Sequence, residues 1–124
     1  MVAFRMPSKK RSPVQKLSVA RAKVLLRDVP GWKLRGGHLV RTAVFEDFLT
    51  LMDFVNDLAQ IAEEEGHHPD FAVHYNKLDI EIWTHVVDGL SVGDFNLAAK
   101  LSVLLDGGQV GDGAGDGAGA ETSS

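Results

Sequence analysis

The apolar positions of the chain recur with two different periods. Leu17, Ala20, Val24 and Leu25 fall at i, i+3, i+7 and i+8, the spacing of one helix face. Ser18 stands near the start as an N-cap type and Pro30-Gly31 lies past the end, so a short amphipathic helix is expected. Trp32 to Leu34 and Leu39 to Phe45 bracket Arg35-Gly36-Gly37-His38, which predicts a β-hairpin with a Gly-Gly turn. Phe48, Leu51, Met52, Val55, Leu58, Ala59 and Ala62 return to helical spacing. That helix is expected to begin near Asp47 and to run to about Glu65. Gly66 sits where a left-handed terminating residue belongs, and Pro69 forbids simple continuation. Val73 to Asn76 reads as a short strand. Leu78, Ile80 and Ile82 alternate with Asp79, Glu81 and Trp83, the pattern of a strand with one apolar face. Ser91-Val92-Gly93-Asp94 has capping-box spacing, with Asp in place of Glu, and opens a helix through about Leu105.

The element order is therefore α-β-β-α-β-β-α. Short turns join the strands of each pair, which makes them antiparallel. One four-stranded antiparallel sheet with three helices on one face buries every apolar stripe, an α+β two-layer sandwich. The folded domain is expected over residues 17–105. Residues 1–16 hold two of the four prolines and no apolar period, and read as a disordered basic arm. Residues 106–124 hold seven of the 13 glycines and read as a disordered Gly/Asp-rich tail. Its Gly-Asp repeats are too few to stack into a calcium-binding β-helix.

Composition narrows the function. A chain of 124 residues has room for one domain. It has no cysteine, which excludes disulfides, Cys-ligated zinc, Fe–S clusters and a thiol nucleophile, and makes the cytoplasm the default location. No apolar run approaches the roughly 18 residues of a membrane span, and no apolar segment follows the basic N-terminus as in a signal peptide. Residues 1–27 carry eight Lys/Arg and no acid, whereas the rest carries five Lys/Arg against 17 Asp/Glu. Such an acidic body would repel phosphates, so neither a nucleic acid nor a membrane is expected as a partner. A core of about 90 residues with open sheet edges is expected to form a symmetric homo-oligomer, at least a dimer.

Histidines carry the candidate chemistry. His67, His68, His74 and His85 lie within nineteen positions, and Glu63, Glu64 and Glu65 directly precede the first pair. By strand parity His85 shares the face of Asp79, Glu81 and Trp83. Three readings compete. The histidines are surface or helix-end residues favoured by the dipole. They bind metal, for which adjacent histidines are a poor start. Or they are neutral imidazoles for acid–base chemistry near pH 7. No P-loop, dinucleotide fingerprint or nucleophile motif is present.

Glu63, then His67-His68-Pro69 after three residues, Tyr75 after five more, His85 after nine and Asp94 after eight resemble the signature of the pterin-4a-carbinolamine dehydratase family. Gly31-Trp32, Phe45 to Phe48, Tyr75-Asn76-Lys77, Thr84-His85, Gly89-Leu90-Ser91 and Asp94 to Ala98 support it, and the similarity spans about Leu17 to Leu105. Gly93 departs from it, standing where a polar or basic residue is common. The resemblance implies the fold above, an oligomer, and dehydration of 4a-hydroxytetrahydrobiopterin to quinonoid dihydrobiopterin without metal or cofactor. It implies His67, His68 and His85 as the catalytic imidazoles, converging on one concave pocket, with acid and base left unassigned. Glu63 and Asp94 would orient or bind. Tyr75 and Trp83 are candidate pocket walls, or equally packing residues. The resemblance also takes in dehydratase-like RuBisCO assembly factors, an alternative in which the charged arms would meet a protein partner.

Overall fold

Each helix starts where a polar side chain can satisfy its free N–H groups. Ser18 accepts from the Arg21 N–H at 3.1 Å at the head of α1 (Val19–Leu26). Asp47 accepts from the Thr50 N–H at 2.8 Å at the head of α2 (Phe48–Glu65). The Ser91–Asp94 capping box opens α3 (Val92–Leu105). The computed structural model describes residues 14–107. The expectations for the basic arm up to residue 13 and for the tail from residue 108 lie outside the described residues. Lys16, assigned to the arm by sequence, lies against Gly89, and Asp106, assigned to the tail, pairs with Arg41 at 2.7 Å.

The strands are β1 (Lys33–Arg35), β2 (His38–Val44), β3 (Asp70–His74) and β4 (Lys77–Ile82). They form one antiparallel sheet in the order β1-β2-β4-β3, so the two hairpins meet through β2 and β4. Gly36 and Gly37, with φ of 58° and 80°, make the two-residue turn whose twist matches its strands. The third strand differs from the expected Val73 to Asn76. It begins directly after Pro69, whose ring favours extended backbone, and stops at His74. Tyr75 takes left-handed backbone, φ 57°, and turns the chain with Asn76.

Leu39, Leu78, Ile80 and Ile82 point from the sheet to the helices. They pack with Leu51 and Leu58 of α2 and Leu97 and Leu101 of α3, and none of these eight is more than 2% exposed. All three helices therefore cover one sheet face. The other face is polar: Thr42 donates to Asp79 at 2.6 Å, and Arg35 and His38 both meet Glu81. Among the described residues no helix is long and apolar enough to cross a membrane.

The cap of α2 supplies a pH test. Hydrogen bonds from the Thr50 N–H and then its hydroxyl hold the Asp47 carboxyl below its ordinary pKa. Such a group stabilises fully above its unfolded pKa of about 3.9, and that contribution is lost as pH falls through the lower folded value. Asn keeps the cap but does not titrate. Melting temperatures should therefore drop more steeply in the wild type than in Asp47→Asn between about pH 5 and pH 2. Parallel curves would contradict this account of the cap.

Candidate active site

The end of α2 fixes the first histidine. Gly66, φ 63°, takes the left-handed turn, its N–H donating to Glu63 O at 3.2 Å. The His67 N–H donates to Ala62 O at 3.0 Å, completing a Schellman motif. A side chain leaving that turn meets the N-terminus of α3, where Asp94 is completely buried. The two carboxylate oxygens have separate duties. Oδ2 accepts from the Ser91 N–H at 2.8 Å and from the Thr84 hydroxyl at 2.8 Å. Oδ1 accepts from His67 Nε2–H. The Ser91 and Thr84 hydroxyls are 2.7 Å apart and close the network.

This arrangement selects a tautomer. An ionised carboxylate only accepts, so the His67 proton sits on Nε2 and the neutral ring keeps a free lone pair on Nδ1. Gly93 leaves room there, since a Cβ on it would stand 3.9 Å from Nδ1. Asp94 thus caps α3 and orients His67 at once, so the two readings of that residue do not compete.

His68 pairs with Glu63 at 2.6 Å, both side chains being well exposed. His85 is not the last residue of a strand. β4 ends at Ile82, Thr84 bridges to Gly89, and His85 opens a 3-10 turn through Val87. Its ring stacks on Trp83, with centroids 4.1 Å apart. Trp83 is also stacked on His38 at 4.2 Å, the planes within 5°. Trp83 is thus stacked with two imidazoles, those of His38 and His85.

Three pairs are therefore formed, His67 with Asp94, His68 with Glu63 and His85 with Trp83. Among the described residues no hydrogen bond or ring contact joins one imidazole of the three to another. Thr84 is the connection: its hydroxyl holds Asp94, and the next residue is His85. Tyr75 stands apart, at the tip of the β3–β4 hairpin and 68% exposed. The register pairs Asp70 with Glu81 at one end and His74 with Lys77 at the other. That puts Tyr75 about 17 Å, five strand residues, from the Pro69 end. A cleft of ≈ 730 Å³ along the sheet is lined by residues including Lys33, Arg35, Thr42, Asp79 and Glu81, and by none of the candidates. Among the described residues no three His, Asp or Glu side chains are grouped as a metal ion requires.

Sequence reasoning gave the Thr84 hydroxyl no role of its own and read His38 as structural. Thr84 continues the inward parity of Leu78, Ile80 and Ile82, and a hydroxyl on an apolar face needs a buried partner. His38 falls opposite Trp83 if the β2–β4 register of Leu39 with Ile82 is extended by one residue.

The family model for pterin 4 alpha carbinolamine dehydratase matches residues 15–104. A protein of Stenotrophomonas maltophilia, provisionally named pterin-4-alpha-carbinolamine dehydratase, is 50% identical over 93 residues, covering 73% of this chain and 80% of its own length. A provisionally so-named protein of Thermomicrobium roseum is 45% identical over 80 residues, covering 64% and 86%. The crystal structure of a transcriptional coactivator/pterin dehydratase from Brucella melitensis superposes with a TM-score of 0.71 at 28% identity, covering 73% of this chain and 99% of that one. A pterin dehydratase-like RuBisCO assembly factor of the alpha-carboxysome shares the fold, with a TM-score of 0.51 at 19% identity, covering 60% and 86%. The match over nearly every described residue, on the sheet and helices already built, establishes that the chain belongs to the pterin-4a-carbinolamine dehydratase family.

Proposed function

We propose that the chain dehydrates 4a-hydroxytetrahydrobiopterin to quinonoid dihydrobiopterin. The observation that carries this is the His67–Asp94–Thr84 network, which holds an imidazole in one tautomer beside the residue preceding His85. The reaction removes the N5 proton, breaks the C4a–O bond, forms the C4a=N5 bond and releases water. It needs a base and an acid working together near neutral pH, and imidazoles serve as both. His67 Nδ1, left free by the bond from Nε2–H to Asp94, is the base for the N5 proton. His85, whose ring has no hydrogen-bond partner among the described residues, delivers a proton to the leaving hydroxyl. His68, held by Glu63, stands on the other side of the 4a centre from His67. No metal and no further cofactor takes part.

The same reading places the enzyme in the cytoplasm and in a homo-oligomer, which would pair the open edges of β1 or β3. Phe71, 43% exposed on β3, supports the second edge. The alternative role, assembly of RuBisCO, is favoured by no observation here. The relative titled as an assembly factor is similar in fold alone, whereas those at 45–50% identity carry the dehydratase name.

Turnover of synthetic 4a-hydroxytetrahydropterin, followed by absorbance, tests the reading. Removing a general acid or base commonly costs about 10²–10⁴ in rate, so His67→Ala and His85→Ala should each fall by that order while remaining folded. Asp94→Asn should fall about tenfold or more, since the His67 tautomer is no longer fixed, and should also melt earlier. Wild type no faster than the spontaneous reaction would end the proposal. Chelator should leave the rate unchanged, and a chelator-sensitive rate restored by one metal per chain would replace the imidazole mechanism with a metal one. Sedimentation at micromolar concentration should give a dimer or tetramer, and a monomer would refute the edge-pairing argument.

A further inference from the structure

His85 is the least supported of the candidate imidazoles. Its backbone lies in the 3-10 turn beyond β4, a three-residue segment with no buried residue. Val86 beside it is 82% exposed, and Asp88 closes the turn in left-handed backbone. Among the described residues its ring has no hydrogen-bond partner. A ring on an exposed turn, free to rotate about two bonds, would sample many orientations. The contact that selects one is the stack on Trp83, with centroids 4.1 Å apart.

Trp83 lies just past the last residue of β4, partly buried against the core, and the core contact leaves its ring to be oriented by what stacks on it. His38 stacks on it nearly parallel, at 5° and 4.2 Å. His38 in turn is fixed. It is the first residue of β2, paired with Arg35 across the tight hairpin, and its Nδ1–H donates to Glu81 at 2.5 Å. Glu81 lies inside β4, opposite Val40 of β2 and Asp70 of β3, and also meets Arg35 at 3.9 Å. The order of support thus runs outward from the paired sheet: Glu81, His38, Trp83, His85.

We infer that His38 is a positioning residue for His85, acting through the indole of Trp83. It touches no reacting atom. Its ring stacks on Trp83 and keeps the indole from turning, and the indole in turn orients the ring of His85. The inference rests on the dehydratase reading for its kinetic consequence, but the stack itself is a property of the folded protein. It predicts that an aromatic ring at position 38 keeps most of the stack even without the bond to Glu81, because the β1–β2 pairing already places that side chain beside Trp83.

Two readouts separate the outcomes. In NMR spectra of histidine-labelled protein, the ring protons of His85, assigned by their loss in His85→Gln, should lie upfield of an exposed histidine because they sit over the indole. His38→Ala should move them towards the exposed value, and His38→Phe should hold them near the wild-type position. Thr42→Ala, on the same sheet face but outside the stack, should leave them unchanged. In the dehydratase assay His38→Ala should lower kcat about tenfold with KM changed less than about twofold, the mark of a misplaced group, and His38→Phe should recover most of the loss. His85 resonances indifferent to His38→Ala, or equally displaced in His38→Phe, would overturn the inference even in an active enzyme. If the protein proves to have no dehydratase activity, the resonances still decide whether His38 orders His85, and only the proposed reaction fails.

Discussion

A carboxylate buried without partners costs several kcal/mol, so the fold has to bring hydrogen-bond donors to Asp94. It is met from three parts of the chain. Ser91 comes from the start of its own helix, Thr84 from the segment leaving the sheet, and His67 from the end of the long helix. Satisfying one charge therefore locks α2, α3 and the exit of β4 to one another. Polar groups at this junction are not exceptions to the hydrophobic core. They close its end, where Leu90 and Phe95 finish the apolar packing around the same turn.

The same requirement creates chemical capacity. Because Asp94 divides its oxygens between a helix cap and an imidazole, the structural bond and the tautomer-fixing bond cannot be separated by simple substitution. A histidine whose Nε2–H is held this way presents a lone pair in a fixed direction without needing a mobile loop. His68 is held differently: its partner Glu63 is 75% exposed on its side chain, so water competes for that bond and screens it. Two adjacent histidines thus have unlike environments, one set by burial and the other open to solvent.

Much of this was legible in the sequence where a local rule governs the outcome. The caps Ser18, Asp47 and Ser91, the Gly36-Gly37 turn and the Gly66 stop depend on neighbours within four residues, and each appears at its expected place. The alternation of Leu78, Ile80 and Ile82 identified the face that meets the helices. What depends on strand register was not legible. The third strand starts three residues before the expected Val73, directly after Pro69. The Trp83–His38 stack needs the β2–β4 pairing, which no local pattern contains. Tyr75 belongs to the family spacing, yet within the chain it turns a hairpin at the far end of the sheet, so spacing along a motif did not measure distance in space.

The candidate site consequently belongs to both layers of the sandwich. His67 is fixed to the helical layer through Asp94, and His85 to the polar face of the sheet through Trp83. The segment joining these anchorages is the short exit of β4, where alternation sends Thr84 inward to the carboxylate and Trp83 outward to His38. One strand end thereby sets the separation of two imidazoles that do not touch. A shift of α3 along the sheet would strain the bonds of Asp94 to His67 and to Thr84 alike. The close packing of Leu97 and Leu101 against the sheet, with no exposed surface on either, resists that shift. The apolar core and the candidate chemistry are in this sense one constraint: packing that fixes the layers also fixes the distance across which a proton must be taken up and another delivered.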